Sequence, residues 1–131
     1  MEVNIQKIAG TDKRLYELVA PLVMNPIIIR YNNNYPFKTS AKYFWFVASR
    51  AEAVCGFIPV KVIDEQVLID NYYIYSDDEL LLLNLLREIL KEYGSTKKYM
   101  AVVHLRHKEV FIKAGFKQRV EWKKYVKMDK L

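Results

Sequence analysis

Two periods of apolar and polar residues organise the chain. Val67-Leu-Ile-Asp-Asn-Tyr-Tyr-Ile-Tyr75 is an apolar, aromatic run rich in residues that suit a pleated, buried surface, and it predicts a strand. It stops at Ser76-Asp-Asp-Glu79, and the spacing that follows is helical. Leu80 to Leu83, Leu85, Leu86, Ile89 and Leu90 make a wide apolar face, with Asn84, Arg87, Glu88, Lys91 and Glu92 mostly opposite. Ser76 or Asp77 can cap this helix, because a short side-chain oxygen satisfies an orphaned backbone N–H and acids suit the positive end of the dipole. A helix this apolar must lie on a sheet.

The rest of the chain supplies that sheet. Residues 3–8 alternate Val3, Ile5 and Ile8 with Asn4 and Gln6, the period of a half-buried strand. After Gly10, Thr11 or Asp12 can cap a helix over about 13–24, with Leu15, Leu18, Val19, Leu22 and Val23 on one face, and Asn25-Pro26 ends it. Ile27-Ile-Ile-Arg30 fits either a short helix or an extended piece, and the asparagine run that follows reads as a loop. Strands over 43–48 and 53–63 flank a polar turn at 49–52; Gly56 marks a bulge or a close backbone approach, and Pro59 sits where no ladder donor is needed. A turn at 64–66 leads into the Val67 strand, which completes a three-strand meander.

Beyond the leucine helix, Gly94 is a C-cap and 99–104 reads as a buried strand. A strand, helix, strand unit of this length favours parallel pairing through a right-handed crossover. A short helix over 107–114 ends at Gly115, and 120–128 is a last strand. The expectation is one α/β domain over 1–131, with a mixed, largely antiparallel central sheet flanked by helices.

Composition excludes several classes. A chain 52% hydrophobic and 27% charged is neither disordered nor membrane-spanning, and no apolar run approaches the roughly 20 residues of a span. The opening Met1-Glu-Val-Asn-Ile lacks the basic region and apolar run of a secretion signal, so a cytoplasmic location is expected. The lone Cys55 cannot form an internal disulfide and reads as a buried core thiol. The net charge of +6 is uneven: from Lys97 onward eleven Lys and Arg face three acids, so the last third is basic. This is either a solvated face or a surface for an anionic partner such as a phosphorylated cofactor or nucleic acid.

The element order, with Phe111-Ile-Lys-Ala-Gly-Phe116 after the strand that follows the long helix and Glu121-Trp-Lys-Lys-Tyr-Val-Lys-Met128 as a closing strand, resembles the GNAT superfamily of N-acetyltransferases over nearly the whole chain. The resemblance implies transfer of an acetyl group from acetyl-CoA to an amine. Members usually hold the CoA pyrophosphate on a turn with an Arg or Gln and two spaced glycines, where bare backbone N–H groups meet the phosphates. This chain departs from that pattern, with Ser76-Asp-Asp-Glu-Leu-Leu at the turn. A carboxylate a few ångströms from a phosphate repels it by about 1 kcal/mol in water and by more at lower dielectric.

Candidate site residues follow from the same resemblance and from residue type. The backbone of Tyr73, Ile74, Tyr75 and Ser76 would hold the pantetheine as an added strand and polarise the thioester carbonyl. The tyrosine that often protonates the departing thiolate is matched by Phe111, which has no proton to give. His104, at the end of the strand over 99–104, titrates near neutrality and is either an acid or base or a satisfied structural residue. Asp70, among Leu68, Ile69 and Tyr72, is either a base or a polar partner of a neighbouring strand. His104 and His107 are too few ligands for a metal site. The competing reading is a catalytically silent domain of this fold whose basic last third binds nucleic acid or a protein partner.

Overall fold

A computed structural model describes residues 3–131; Met1 and Glu2, part of the stretch read above for a secretion signal, lie outside the described residues. In chain order the elements are β1 (Val3–Ala9), α1 (Lys13–Val23), α2 (Pro26–Tyr31), β2 (Tyr43–Arg50), β3 (Ala53–Ile63), β4 (Gln66–Ile69), β5 (Tyr73–Ile74), α3 (Glu79–Tyr93), β6 (Lys98–His104), α4 (Lys108–Lys113), β7 (Lys117–Glu121) and β8 (Tyr125–Lys130). One sheet joins the strands in the order β1-β2-β3-β4-β6-β8-β7, with β5 paired to β3 off that path. Every pairing is antiparallel except β4 with β6, the pair joined by the α3 crossover.

Alternation along the strands makes two cores. Val67 and Ile69 of β4, Tyr99, Ala101 and Val103 of β6, and Val126 and Met128 of β8 face α3, whose Leu81, Leu82, Leu85, Leu86 and Ile89 cover them. On the other face α1 lays Leu15 and Val19 over Ile8, Tyr43, Trp45, Val47 and Phe57, all from β1 to β3. Leu68, Met100 and Val102 point to that second face beyond this cluster and remain half-buried. Cys55 is buried as expected and its thiol donates to the Ala48 carbonyl at 3.5 Å.

Four details differ from the sequence reading. The Val67 to Tyr75 run is not one strand, because 70–72 leave the ladder: the Asn71 side-chain oxygen takes the Tyr72 N–H at 3.0 Å and a hydrogen bond from Asn32. Neither Ser76 nor Asp77 caps α3, since both have left-handed backbones (φ of 57° and 50°), and Asp78 accepts from the Leu81 N–H at 3.1 Å instead. Leu80 faces outward, 66% exposed. The single last strand is a hairpin: the Trp122 N–H donates to the Tyr125 carbonyl at 2.7 Å, and all of β7 is an exposed edge. The undecided isoleucines form α2, where the Asn25 side chain accepts from the Ile27 N–H.

Candidate functional site

The sheet splits where β4 ends. The β4–β6 ladder stops at Ile69 and Ala101; beyond it β5 follows β3, through Tyr73 with Phe57 and Ile74 with Gly56, while β6 stays with β8 as far as His104 and Tyr125. Gly56 permits this course, because a Cβ there would stand 3.1 Å from the Tyr73 carbonyl oxygen. The split leaves a V-shaped gap between β5 and the C-terminal half of β6. Its β5 wall carries main-chain groups with no ladder partner on the β6 side among the described residues.

Polar side chains fill that gap. The Asp77 carboxylate accepts from His107 Nε2 at 2.8 Å, from Arg106 Nε at 3.1 Å and from the Tyr31 hydroxyl. Since an ionised carboxylate only accepts, Nε2 of His107 carries the proton, and the bare Nδ1 receives the Tyr72 hydroxyl at 2.7 Å. Tyr72 in turn accepts the His104 backbone N–H at 3.1 Å. His104 is itself buried, with Nε2 donating to the Asn32 side-chain oxygen at 2.8 Å. The Asn32 amide nitrogen is committed to the Tyr35 carbonyl and to Asn71, which fixes its orientation. Among the described residues, the lone pair on Nδ1 of His104 therefore faces only the Asn33 amide, at 3.5 Å. A cavity of about 10 Å³ remains among these groups, too little for any substrate.

Burial dominates the titration of the cluster. It lowers the His104 pKa to about 4, helped by the charge of Arg106 and by His107, and it lowers that of His107 as well. His104 is thus neutral at pH 7. Burial pushes the Asp77 carboxyl up, but the hydrogen bonds from Tyr31 and Arg106 and the charge of Arg106 outweigh it, and its pKa ends below the usual value. Tyr72 is raised, mainly by burial.

The outer edge of the gap is closed by α2. None of its six residues is buried, yet Tyr31 reaches Asp77 and carries Arg106 over its ring, 4.7 Å from the centroid. Asn32 and Asn33, just after it, hold His104. Tyr31, Asp77 and Arg106 together form a latch over the split.

The expected site residues fall in three places. His104 is at the centre of the network. Tyr73, Ile74, Tyr75 and Ser76 form the β5 wall and the turn before α3: Tyr73 packs on Phe57 at 5.5 Å, Ile74 is buried, and Tyr75 is exposed. Asp70 stands apart, lining a shallow trough with Leu68, Met100, Val102 and Lys127 on the face away from α3. The three acids at the turn are not all free, since Arg106 meets Asp77 and Arg50 approaches Asp78 at 3.7 Å. The basic last third is dispersed: Lys113 is on α4, Lys117 and Arg119 on β7, Lys123 and Lys124 in the hairpin turn, and Arg119 pairs with Asp129 at 2.6 Å. Sequence reading missed Tyr31, Asn32, Asn71 and Asp77 as parts of one cluster. The only sequence signal was the three-residue spacing of His104 and His107.

No protein-family model and no curated protein sequence matches the chain. Solved structures do. ElaA of Escherichia coli superposes with a TM-score of 0.75 at 12% identity, over 99% of this chain and 100% of that one. An acyl-CoA N-acyltransferase from Pseudomonas aeruginosa gives 0.74 at 12% identity with the same coverage. PaiA N-acetyltransferase from Thermoplasma acidophilum, solved in complex with coenzyme A, gives 0.58 at 18% identity over 99% of both chains. The fold is that of the GNAT N-acetyltransferases, as the element order implied.

Proposed function

We propose that the protein is an acyl-CoA-dependent N-acyltransferase that moves an acetyl group to an amine, and that its cleft works only with the Tyr31 latch open. The observation that carries this reading is the split sheet, which offers unpaired β5 backbone beside a neutral, buried histidine. An extended pantetheine arm fits such an edge, because main-chain hydrogen bonds need no particular side chains. At the turn, Arg106 and Arg50 offset the carboxylates that the phosphates would meet.

The residues then divide the chemistry. Backbone N–H groups of β5 polarise the thioester carbonyl, and the amine attacks it directly. His104 takes the amine proton on Nδ1, once Asn33 has moved with α2, and Nε2–H bonded to Asn32 keeps the ring in the receptive tautomer. Asp70 lies outside this network and would hold the incoming ammonium, which sheds one proton to water to become the attacking amine; the second goes to His104 as the C–N bond forms. Phe111 has no proton for the thiolate, and the Tyr72 hydroxyl, whose ring packs on Phe111 with centroids 5.9 Å apart, has its one proton committed to His107. The C–S bond therefore breaks to release CoA as the thiolate, which takes its proton from water.

A calorimetric titration with acetyl-CoA, paired with a thiol-release assay over a panel of amines, tests the reading. Weak, saturable binding and amine-dependent thiol release are expected. No binding and no release at about 1 mM acetyl-CoA, a concentration that would populate a complex of Kd near 0.1 mM, would overturn it.

A further inference from the structure

Among the described residues, the second face of the sheet holds an acid and a base with no ion-pair partner. Alternation places Leu68 of β4, Met100 and Val102 of β6, and Lys127 of β8 on the side away from α3. Leu68 pairs with Met100 across the parallel ladder, and Val102 pairs with Lys127 across the antiparallel one. One step past the β4 ladder, Asp70 lines the same trough, so Asp70 and Lys127 flank Val102 from opposite sides. Two strand spacings separate their backbones, about 10 Å. Both are half-buried, yet among the described residues no cation lies within 4.0 Å of the Asp70 carboxylate and no acid within 4.0 Å of the Lys127 amine. The trough encloses about 190 Å³, and Leu68, Met100 and Val102 supply its apolar floor.

An apolar floor with one acid at one side and one base at the other is complementary to a zwitterion that carries an apolar side chain. We propose that this trough binds the acyl acceptor as a free α-amino acid with an apolar side chain, its ammonium on Asp70 and its carboxylate on Lys127. The inference rests on the acyltransferase reading only for the word acceptor. Val102 and His104 lie on the same face of β6, two residues or about 7 Å apart, so an amine held beside Val102 lies on the sheet face that His104 also occupies. The short aspartate fixes the amino end, while the long lysine stem swings to meet the carboxylate.

Binding can be read without acyl-CoA, by following backbone amide signals of isotope-labelled protein during titration with L-leucine, L-leucinamide and 4-methylpentanoate. The expected result is saturable shifts at Leu68, Asp70, Val102 and Lys127 with leucine. Leucinamide, which lacks the carboxylate, and 4-methylpentanoate, which lacks the amine, should bind at least tenfold more weakly. Lys127→Met should weaken leucine to the leucinamide level while leaving leucinamide itself unchanged, and Asp70→Asn should weaken both amines. Dispersed amide spectra of the two variants confirm that they fold. Absence of shifts with leucine, or equal affinity for leucine and leucinamide, overturns the proposal. Leucine binding without its acetylation would count against the enzyme reading and leave this site standing.

Discussion

His104 shows how burial of one titratable residue bears on stability. In the unfolded chain a histidine titrates near 6.5, whereas burial here brings its folded value to about 4. Between these two values the unfolded state binds more protons, so stability rises with pH across the window and is lost as pH falls from about 6.5 through 4. His107 is shifted in the same direction, and Asp77, whose folded pKa is lowered, adds a further loss below its unfolded value near 4. Arg106 faces all three and opposes protonation of both rings. Urea denaturation at pH 7 and pH 4 should therefore differ by about 1–3 kcal/mol, since one pKa unit corresponds to about 1.4 kcal/mol and solvent screening trims the effect. His104→Gln, which cannot titrate, should flatten part of that slope. An equal slope in the variant would mean that the acid sensitivity lies elsewhere.

At the scale of elements, α3 covers the larger core with five buried side chains, and its contributions separate cleanly. Leu86 is fully buried against the sheet, so Leu86→Ala should cost about 2–5 kcal/mol by chemical denaturation, as cavity-forming changes do. Asp78→Ala should cost about 1 kcal/mol through the lost cap. A loss below about half a unit for Leu86→Ala would contradict the packing described. These elements were legible in the sequence because their periods are strong: eight apolar positions in one helix and an apolar, aromatic run before it, interrupted only at Asp70-Asn71. By contrast β7 has every residue exposed, so no alternation announces it. The break at 70–72 is set by a side-chain bond between Asn32 and Asn71, 39 residues apart, and the asparagine run that supplies it has only the composition of a loop. The strand-end position of His104 could be read; the network that neutralises it could not, because it is closed by α2, a helix with no buried residue to mark it.

For the molecule as a whole, the proposed acyltransfer turns on whether the split sheet can open. The closed latch excludes ligand from the gap, so the apparent affinity for acetyl-CoA is the intrinsic affinity reduced by the fraction of molecules that are open. A hydrogen bond to a charged group contributes about 1.5–3 kcal/mol and a cation–π contact about 0.5–1 kcal/mol, and Tyr31 makes one of each, to Asp77 and with Arg106. The unmodified protein should accordingly bind acetyl-CoA with Kd of about 0.1 mM or weaker. Tyr31→Ala removes both contacts while leaving Arg106 and Arg50 to meet the phosphates, and it should tighten binding by about tenfold, the equivalent of about 1.4 kcal/mol. Replacing Asp77 by Asn should do less: it removes a negative charge but leaves a single neutral acceptor oxygen for Arg106, His107 and Tyr31, so the order of Arg106 is weakened as well. Calorimetry on the three proteins decides the point. Micromolar binding by the unmodified chain would show that the phosphates are held with the latch closed, and unchanged binding by Tyr31→Ala would show that the obstacle is the glycine-free turn at Ser76 and Asp77, whose side chains stand where bare backbone is needed.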